Sequence, residues 1–263
     1  RDAPVQKDPI GFGAYVSMFP QLIAGPIVKY KDVAEQLSSR RETVEKFASG
    51  VNIFIIGLGK KLLLANQMGL LWENLSSSGG TVSAWVGMLA YTLQIYFDFS
   101  GYSDMAVGCA KCLGYDLSRN FNLPYIARNV TEFWKRWHMT LTTFLRECLY
   151  FPLGGSRRGG WRTYRNILVI FLVSGFWHGA GWTFLLWGAL HGLGQIGERL
   201  WGGGRERLPR SVRWLMTFLF VNLAWVFFRA PSLSQAGQLL AAAFSGGLAK
   251  PPDWLLKGLF AKE

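Results

Sequence analysis

Residues 166–197 form a stretch of 32 positions without Asp, Glu, Lys or Arg. About 20 apolar residues cross a bilayer as a helix, so the stretch is too long for one span and too apolar for a solvated surface. Its centre reads Gly175-Phe176-Trp177-His178-Gly179-Ala180-Gly181, where glycines interrupt the apolar pattern and invite a turn. The spacing predicts a membrane hairpin with His178 near its apex, in preference to one tilted span plus a re-entrant piece, which would break the positive-inside rule at one end. Eight Lys/Arg against two Glu occupy 128–165 on one side, and Arg199, Arg205, Arg207, Arg210 and Arg213 follow on the other. With both ends basic, the positive-inside rule places both on the cytoplasmic side.

Other charge-free runs cover 9–28, 74–97 and 230–249, with shorter ones at 47–59, 62–72 and 214–228. They predict at least three or four membrane segments, some too short or too Gly/Pro-broken for simple spans and therefore re-entrant or in-plane. Composition agrees: half the 263 residues are hydrophobic, 17% are charged, and there are 12 Trp and 19 Phe. An ordinary soluble domain carries about 25% charged residues. Disorder is excluded by the apolar content, and a disulfide scaffold by the presence of three cysteines. A net charge of +12 suggests nucleic acid only until the long uncharged runs are considered; the basic residues fit loops at an anionic membrane surface, and no nucleic-acid partner is expected. The expected class is all-α, a polytopic membrane helical bundle with in-plane and re-entrant helices. The chain opens at Arg1 in a polar stretch without Met or a signal-like segment. It reads as an internal piece of a longer protein, one membrane-embedded region over 1–263 incomplete at both ends. The soft spots are 76–80, 154–160 and 202–210.

Several chemistries fail on spacing. Gly57-Leu58-Gly59-Lys60-Lys61 lacks the other residues of a phosphate-binding loop, since Phe54 and Lys61 stand where Gly and Ser/Thr are needed. Cys109-x-x-Cys112 has no second pair, so no metal is expected and buried thiols are the simpler interpretation. No Gly-x-Ser-x-Gly nucleophile elbow occurs.

The three histidines remain. Counted from Arg165, His178 lies roughly 20 Å along a helix, deep in a hydrocarbon core about 30 Å thick, where an ionisable residue is costly and marks a candidate site. Residues 129–150 have apolar positions 130, 133, 134, 137, 141, 144, 145, 148 and 149, a helical stripe. Five charges lie opposite, and Asn129 with Glu132 forms a cap. An amphipathic helix in the membrane plane is predicted, with His138 on its apolar side. That placement alone favours a core histidine, as does the position of His191 beside Gly188-x-x-x-Gly192, a spacing for tight helix packing.

Five motifs then carry a resemblance: Phe19-Pro20-Gln21-Leu22-Ile23-Ala24-Gly25-Pro26; Tyr96-Phe97-Asp98-Phe99-Ser100-Gly101-Tyr102-Ser103-Asp104; Asn120-Phe121-Asn122-Leu123-Pro124-Tyr125; Phe133-Trp134-Lys135-Arg136-Trp137-His138; and Phe176-Trp177-His178-Gly179. Together, in this order and from about Asp8 to about Arg229, they resemble the membrane-bound O-acyltransferase family, most closely its bacterial alginate O-acetyltransferase branch. The resemblance implies a partial fold of that family in the bacterial inner membrane, multi-pass. His178 is implied as catalytic and His138 as a second histidine close to it in a membrane tunnel, so both rings are expected to face one cavity. Trp177, Trp137, Trp134 and Asn129 are expected to line the tunnel. Acetyl-CoA is implied as the acyl donor, with no bound cofactor or metal. Extracytoplasmic polysaccharide-acetylation proteins are implied as partners beside the lipid bilayer. The physical logic is that a hydroxyl needs a base to become a nucleophile, and a dry apolar site protects a thioester from water. Cellulose, peptidoglycan or teichoic acid could replace alginate as acceptor. A non-enzymatic transport component would also carry intramembrane histidines and basic loops.

Overall fold

The computed structural model describes residues 7–22, 25–76, 79–157 and 159–247. Ile23 and Ala24 of the first motif, most of the 76–80 soft spot's interior, Arg158, the polar start and the end of the 230–249 run lie outside the described residues. Among those described there are helices and turns and no strand, the all-α bundle expected. They group into two compact units that alternate along the chain, one drawn from 1–65, 96–124 and 134–144, the other from 66–95, 125–133 and 145–263.

The first unit opens with α1 (Pro9–Val16), capped by the Asp8 carboxylate, which accepts from the Ile10 and Gly11 amides. The 9–28 run is not a span. Helix α1 has eight residues, and the chain then bends through a short 3-10 turn at Phe19–Gln21, where Pro20 removes a backbone donor. The segment at Val28 is tied back by the Tyr15 hydroxyl, which donates to the Val28 carbonyl at 2.8 Å. Helices α2 (Tyr30–Ser39) and α3 (Val44–Gly59) follow. Helix α3 continues through a π turn at Lys60–Ala65 into α4 (Asn66–Ser76), giving one helix of 33 residues with mean hydropathy 1.5.

That continuity joins two runs that the sequence keeps apart. Lys60 and Lys61 interrupt the apolar pattern, but each finds a carboxylate on α5 (Thr81–Cys112). Lys60 Nζ lies 2.6 Å from Asp104 Oδ2, and Lys61 pairs with Asp98. Paired charges are tolerated where isolated ones are not. Glycines bring the same two helices together. A Cβ at Gly57 would lie 2.6 Å from the Gly101 carbonyl oxygen, and one at Gly50 would lie 2.7 Å from that of Gly108. The seven-residue spacing on both helices, 50 to 57 and 101 to 108, sets their antiparallel register. Outward, Ile55, Ile56 and Leu63 are about 58–72% exposed, an apolar surface that a core helix of a soluble protein would have buried.

The second unit is built on α8 (Gly160–His178), α9 (Trp182–Trp201), α10 (Arg210–Arg229) and α11 (Leu233–Phe244). The 32-residue run is a helical hairpin, as its glycines imply. Gly188 would place a Cβ 2.2 Å from the Phe171 carbonyl oxygen, and Gly175 one 2.4 Å from that of Phe184, so the two backbones touch. Helix α10, with mean hydropathy 1.5 over 20 residues, is the second of two helices among the described residues that are long and apolar enough to span a membrane. The 74–97 run is instead divided between the end of α4 and the start of α5, and 230–249 yields only the 12-residue α11. Ala84, Met88, Val226, Ala236 and Ala243 form the core between α5, α10 and α11. Asn222, fully buried, donates to Met88 O and Thr92 Oγ1 across it.

The predicted helix over 129–150 is broken. It consists of α6 (Val130–Trp134), a turn, α7 (Met139–Leu145) and a π turn at Arg146–Tyr150. Between α6 and α7 the backbone pairs elsewhere: Asn122 N donates to Arg136 O, and Met139 N to Asn120 O, each at 2.9 Å. Those bonds take groups that a continuous helix would have used internally.

Candidate active site

His178 is the last residue of α8 and Gly179 its C-cap. A Cβ at Gly179 would lie 2.5 Å from the Phe184 ring, so any larger residue there would have to displace that ring. The imidazole is half-buried, edge-on to Trp187 at 5.3 Å and to Phe228 at 5.1 Å between centroids. Among the described residues no hydrogen bond engages its nitrogens. Aromatic edges fix the plane of the ring while leaving its acid–base chemistry available. Trp177, next to it, is 65% exposed, as is Phe176.

His138 is built differently. It ends the turn between α6 and α7 with φ 43°, one of two described non-glycine residues at positive φ, a conformation that costs on the order of 1–3 kcal/mol. The ring is buried, edge-on to Phe99 at 4.8 Å and stacked with Phe121 at 6.4 Å. Its Nδ1 lies 3.1 Å from Asn120 Oδ1. A carbonyl oxygen only accepts, so Nδ1 carries the proton, and in the neutral ring the lone pair is on Nε2. The same Asn120 oxygen accepts from the Thr140 amide at 3.2 Å and the Thr140 hydroxyl at 3.0 Å. Thr140 Oγ1 in turn accepts from the Ile27 amide, which links the residue that directly follows the first motif to this histidine. Asn120 has no charge, no periodicity and no local partner, so nothing in its neighbourhood marks it beyond its place in a motif.

Of the expected tunnel residues, Trp134 and Trp137 are buried, and Trp137 packs edge-on at 5.0 Å against Phe121, the ring that also stacks with His138. Asn129 serves as the predicted cap, its Oδ1 accepting from the Glu132 amide. Glu198 adds to that cap, accepting from the Val130 amide at 2.7 Å, and is itself paired with Arg205. Arg205 also donates to Arg128 O and Thr217 Oγ1, each at 2.9 Å. This polar node was hidden in sequence because its members are about 70 residues apart. His138 and Trp137 belong to the first unit, His178, Trp177 and Asn129 to the second. His191 is fully buried among Phe133, Phe171, Trp187, Phe220 and Trp225, the core position its glycines suggest.

Residues 6–234 match the membrane-bound O-acyltransferase (MBOAT) family. The chain is 44% identical over 261 residues to the "Probable alginate O-acetylase AlgI" of Azotobacter vinelandii, covering 98% of this chain and 51% of the relative. It is 44% identical over 249 residues to the protein of the same description in Pseudomonas aeruginosa, covering 94% and 48%. A peptidoglycan O-acetyltransferase of Helicobacter pylori is 43% identical over 241 residues, 88% of this chain and 46% of that protein. The chain thus spans about half the length of the curated relatives it matches. With the family match covering most of the sequence, the chain belongs to the membrane-bound O-acyltransferase family.

Proposed function

We propose that this chain is the central part of a bacterial inner-membrane O-acetyltransferase that acts on an extracytoplasmic polysaccharide, alginate in the first instance, with His178 as the general base. The observation that carries this is His178 itself: an imidazole at the apex of a glycine-packed apolar hairpin, walled by Trp187 and Phe228, with nitrogens that nothing described engages. An acyl thioester, acetyl-CoA or an equivalent, supplies the activated acetyl carbonyl. The aromatic walls and the absence of charge through 166–197 suit an uncharged acetyl thioester head and exclude water from it.

The acceptor hydroxyl gives its proton to His178 as its oxygen bonds to the acetyl carbon; the carbon–sulfur bond breaks, and the imidazolium returns the proton to the departing thiolate. An ester and a free thiol result, with the histidine restored. His138, held by Asn120 with Nε2 basic, is proposed to position the acceptor hydroxyl; Trp134, Trp137 and Trp177 are proposed as tunnel walls, and Asn129 as the cap that holds the His138 segment's first helix. Donor entry from the cytoplasm, acceptor approach from outside and dedicated extracytoplasmic acetylation partners belong to the same proposal. Alginate is favoured over peptidoglycan because the alginate relatives align over 94–98% of the chain against 88%.

The test is polymer acetylation in cells that carry the full-length protein with His178→Gln, which keeps size and hydrogen bonding without basicity. Acetate ester content should fall to background at equal protein level. Undiminished acetylation would refute the proposal.

A further inference from the structure

The second unit holds a cavity of about 540 Å³ that the transfer chemistry above does not use. Its size is that of a small-ligand pocket. Its lining includes Trp72 and Ser76 at the end of α4, Arg229 at the end of α10, and Gln235 and Gln238 on α11. The Arg229 guanidinium stands 5.9 Å from the centroid of the Trp72 ring and 5.8 Å from that of Tyr91. Among the described residues no carboxylate pairs with it. Stacking on aromatic rings holds a cation in place without neutralising it, so the charge remains for an anion. Gln235 and Gln238, three residues apart, share one face of α11 and bring two amides to the same space. Phe228, whose ring meets His178, directly precedes Arg229, so the cavity opens at the same end of α10 as the catalytic candidate.

We propose that this cavity binds a uronate unit of the acceptor chain, with Arg229 taking the sugar carboxylate. A planar guanidinium matches a carboxylate through two parallel hydrogen bonds. The glutamine amides and the Ser76 hydroxyl suit ring hydroxyls, and the Trp72 indole suits the apolar face of a sugar ring. A helix-end arginine beside Trp and Tyr also fits a lipid phosphate. Gln235 and Gln238 stand exposed at a half-open cleft, and the paired amides favour the sugar, because a lipid-facing helix would present apolar side chains there. The inference rests on the reading of the chain as an acetyltransferase of an acidic polysaccharide, and it adds the residue that selects the charge.

The experiment uses the full-length protein in phosphatidylcholine nanodiscs, titrated with an oligomannuronate and with its uncharged methyl ester. The unmodified protein should bind the acid about tenfold more tightly than the ester, a difference of about 1.4 kcal/mol. Arg229→Gln should abolish that preference, and Arg229→Lys should keep part of it. Gln238→Ala should weaken acid and ester alike, which keeps the proposal testable if Arg229→Gln fails to fold. Equal binding of the acid by the unmodified protein and Arg229→Gln would overturn the inference. So would a variant that loses only retention of added phosphatidylglycerol, which assigns Arg229 to a lipid headgroup. Acetyl transfer to the same oligomer is scored separately. Transfer that does not depend on Arg229 defeats the inference alone, whereas transfer only to a neutral chain defeats the reading beneath it.

Discussion

The two histidines are held by opposite means. His138 lies in non-helical chain at positive φ, with its Nδ1, the Thr140 amide and the Thr140 hydroxyl all converging on one oxygen of Asn120. His178 ends a regular helix and packs edge-on against Trp187 and Phe228, with no hydrogen bond to its nitrogens among the described residues. The difference matches the two roles proposed for them, positioning for His138 and proton transfer for His178. A ring that orients a substrate gains from a fixed tautomer and a fixed nitrogen. A base that takes a proton and then returns it gains from nitrogens committed to nothing else.

The comparison is broken most decisively by kinetics. His178→Ala should lower acetyl transfer by about 10²–10⁴-fold, the usual worth of a general base. His138→Ala should lower it less. The double variant should be no slower than His178→Ala alone, because residues that act as a unit are not additive. Losses that multiply would show His138 working independently of His178.

The hairpin that carries His178 is the next point of attack. Gly188→Ala forces a Cβ to 2.2 Å from a backbone carbonyl, beyond what rotamer adjustment absorbs, and should cost more than about 3 kcal/mol. Gly197→Ala on the same helix meets no atom within 4 Å and should be neutral or stabilise by up to about 1 kcal/mol. Thermal unfolding of the two variants in detergent checks both. Asn120→Ala, at the other histidine, removes the acceptor of three donors and should cost about 1–3 kcal/mol. It should lower transfer as well, whereas a merely structural asparagine would leave transfer per folded molecule unchanged. The smallest effect should come from the Lys60–Asp104 pair, whose side chains remain 27% and 33% exposed. Asp104→Asn should cost about 1 kcal/mol, and the exchange Lys60→Asp with Asp104→Lys should recover part of it.

The same contrast explains what the sequence makes legible. The hairpin is local: an uncharged run, glycines at the turn and a Gly-x-x-x-Gly spacing lie within 32 residues, and the histidine at its end follows from counting turns. The break at 135–138 is not local. Its cause is backbone and side-chain pairing with Asn120 and Asn122, which the 129–150 stripe does not contain. Lys60-Lys61 divides the 33-residue helix at Val44–Ser76 into two uncharged runs in the sequence, because the carboxylates that neutralise the lysines are about 40 residues away on α5. Conversely, 9–28 has the length of a span but carries Pro20 and Pro26, and a count of uncharged positions does not weigh a proline. The apolar stripe over 129–150 places Trp134, Trp137 and His138 on the buried side even where the helix is interrupted, and the Gly188-x-x-x-Gly192 spacing places His191 in the core.

The most direct measurement is single-turnover acetyl transfer by the full-length protein with His178→Gln, alongside its thermal unfolding midpoint. A fall of at least about 100-fold in rate with an unchanged midpoint is predicted. A rate within about threefold of the unmodified protein, with the same midpoint, would contradict the assignment of His178 as the base.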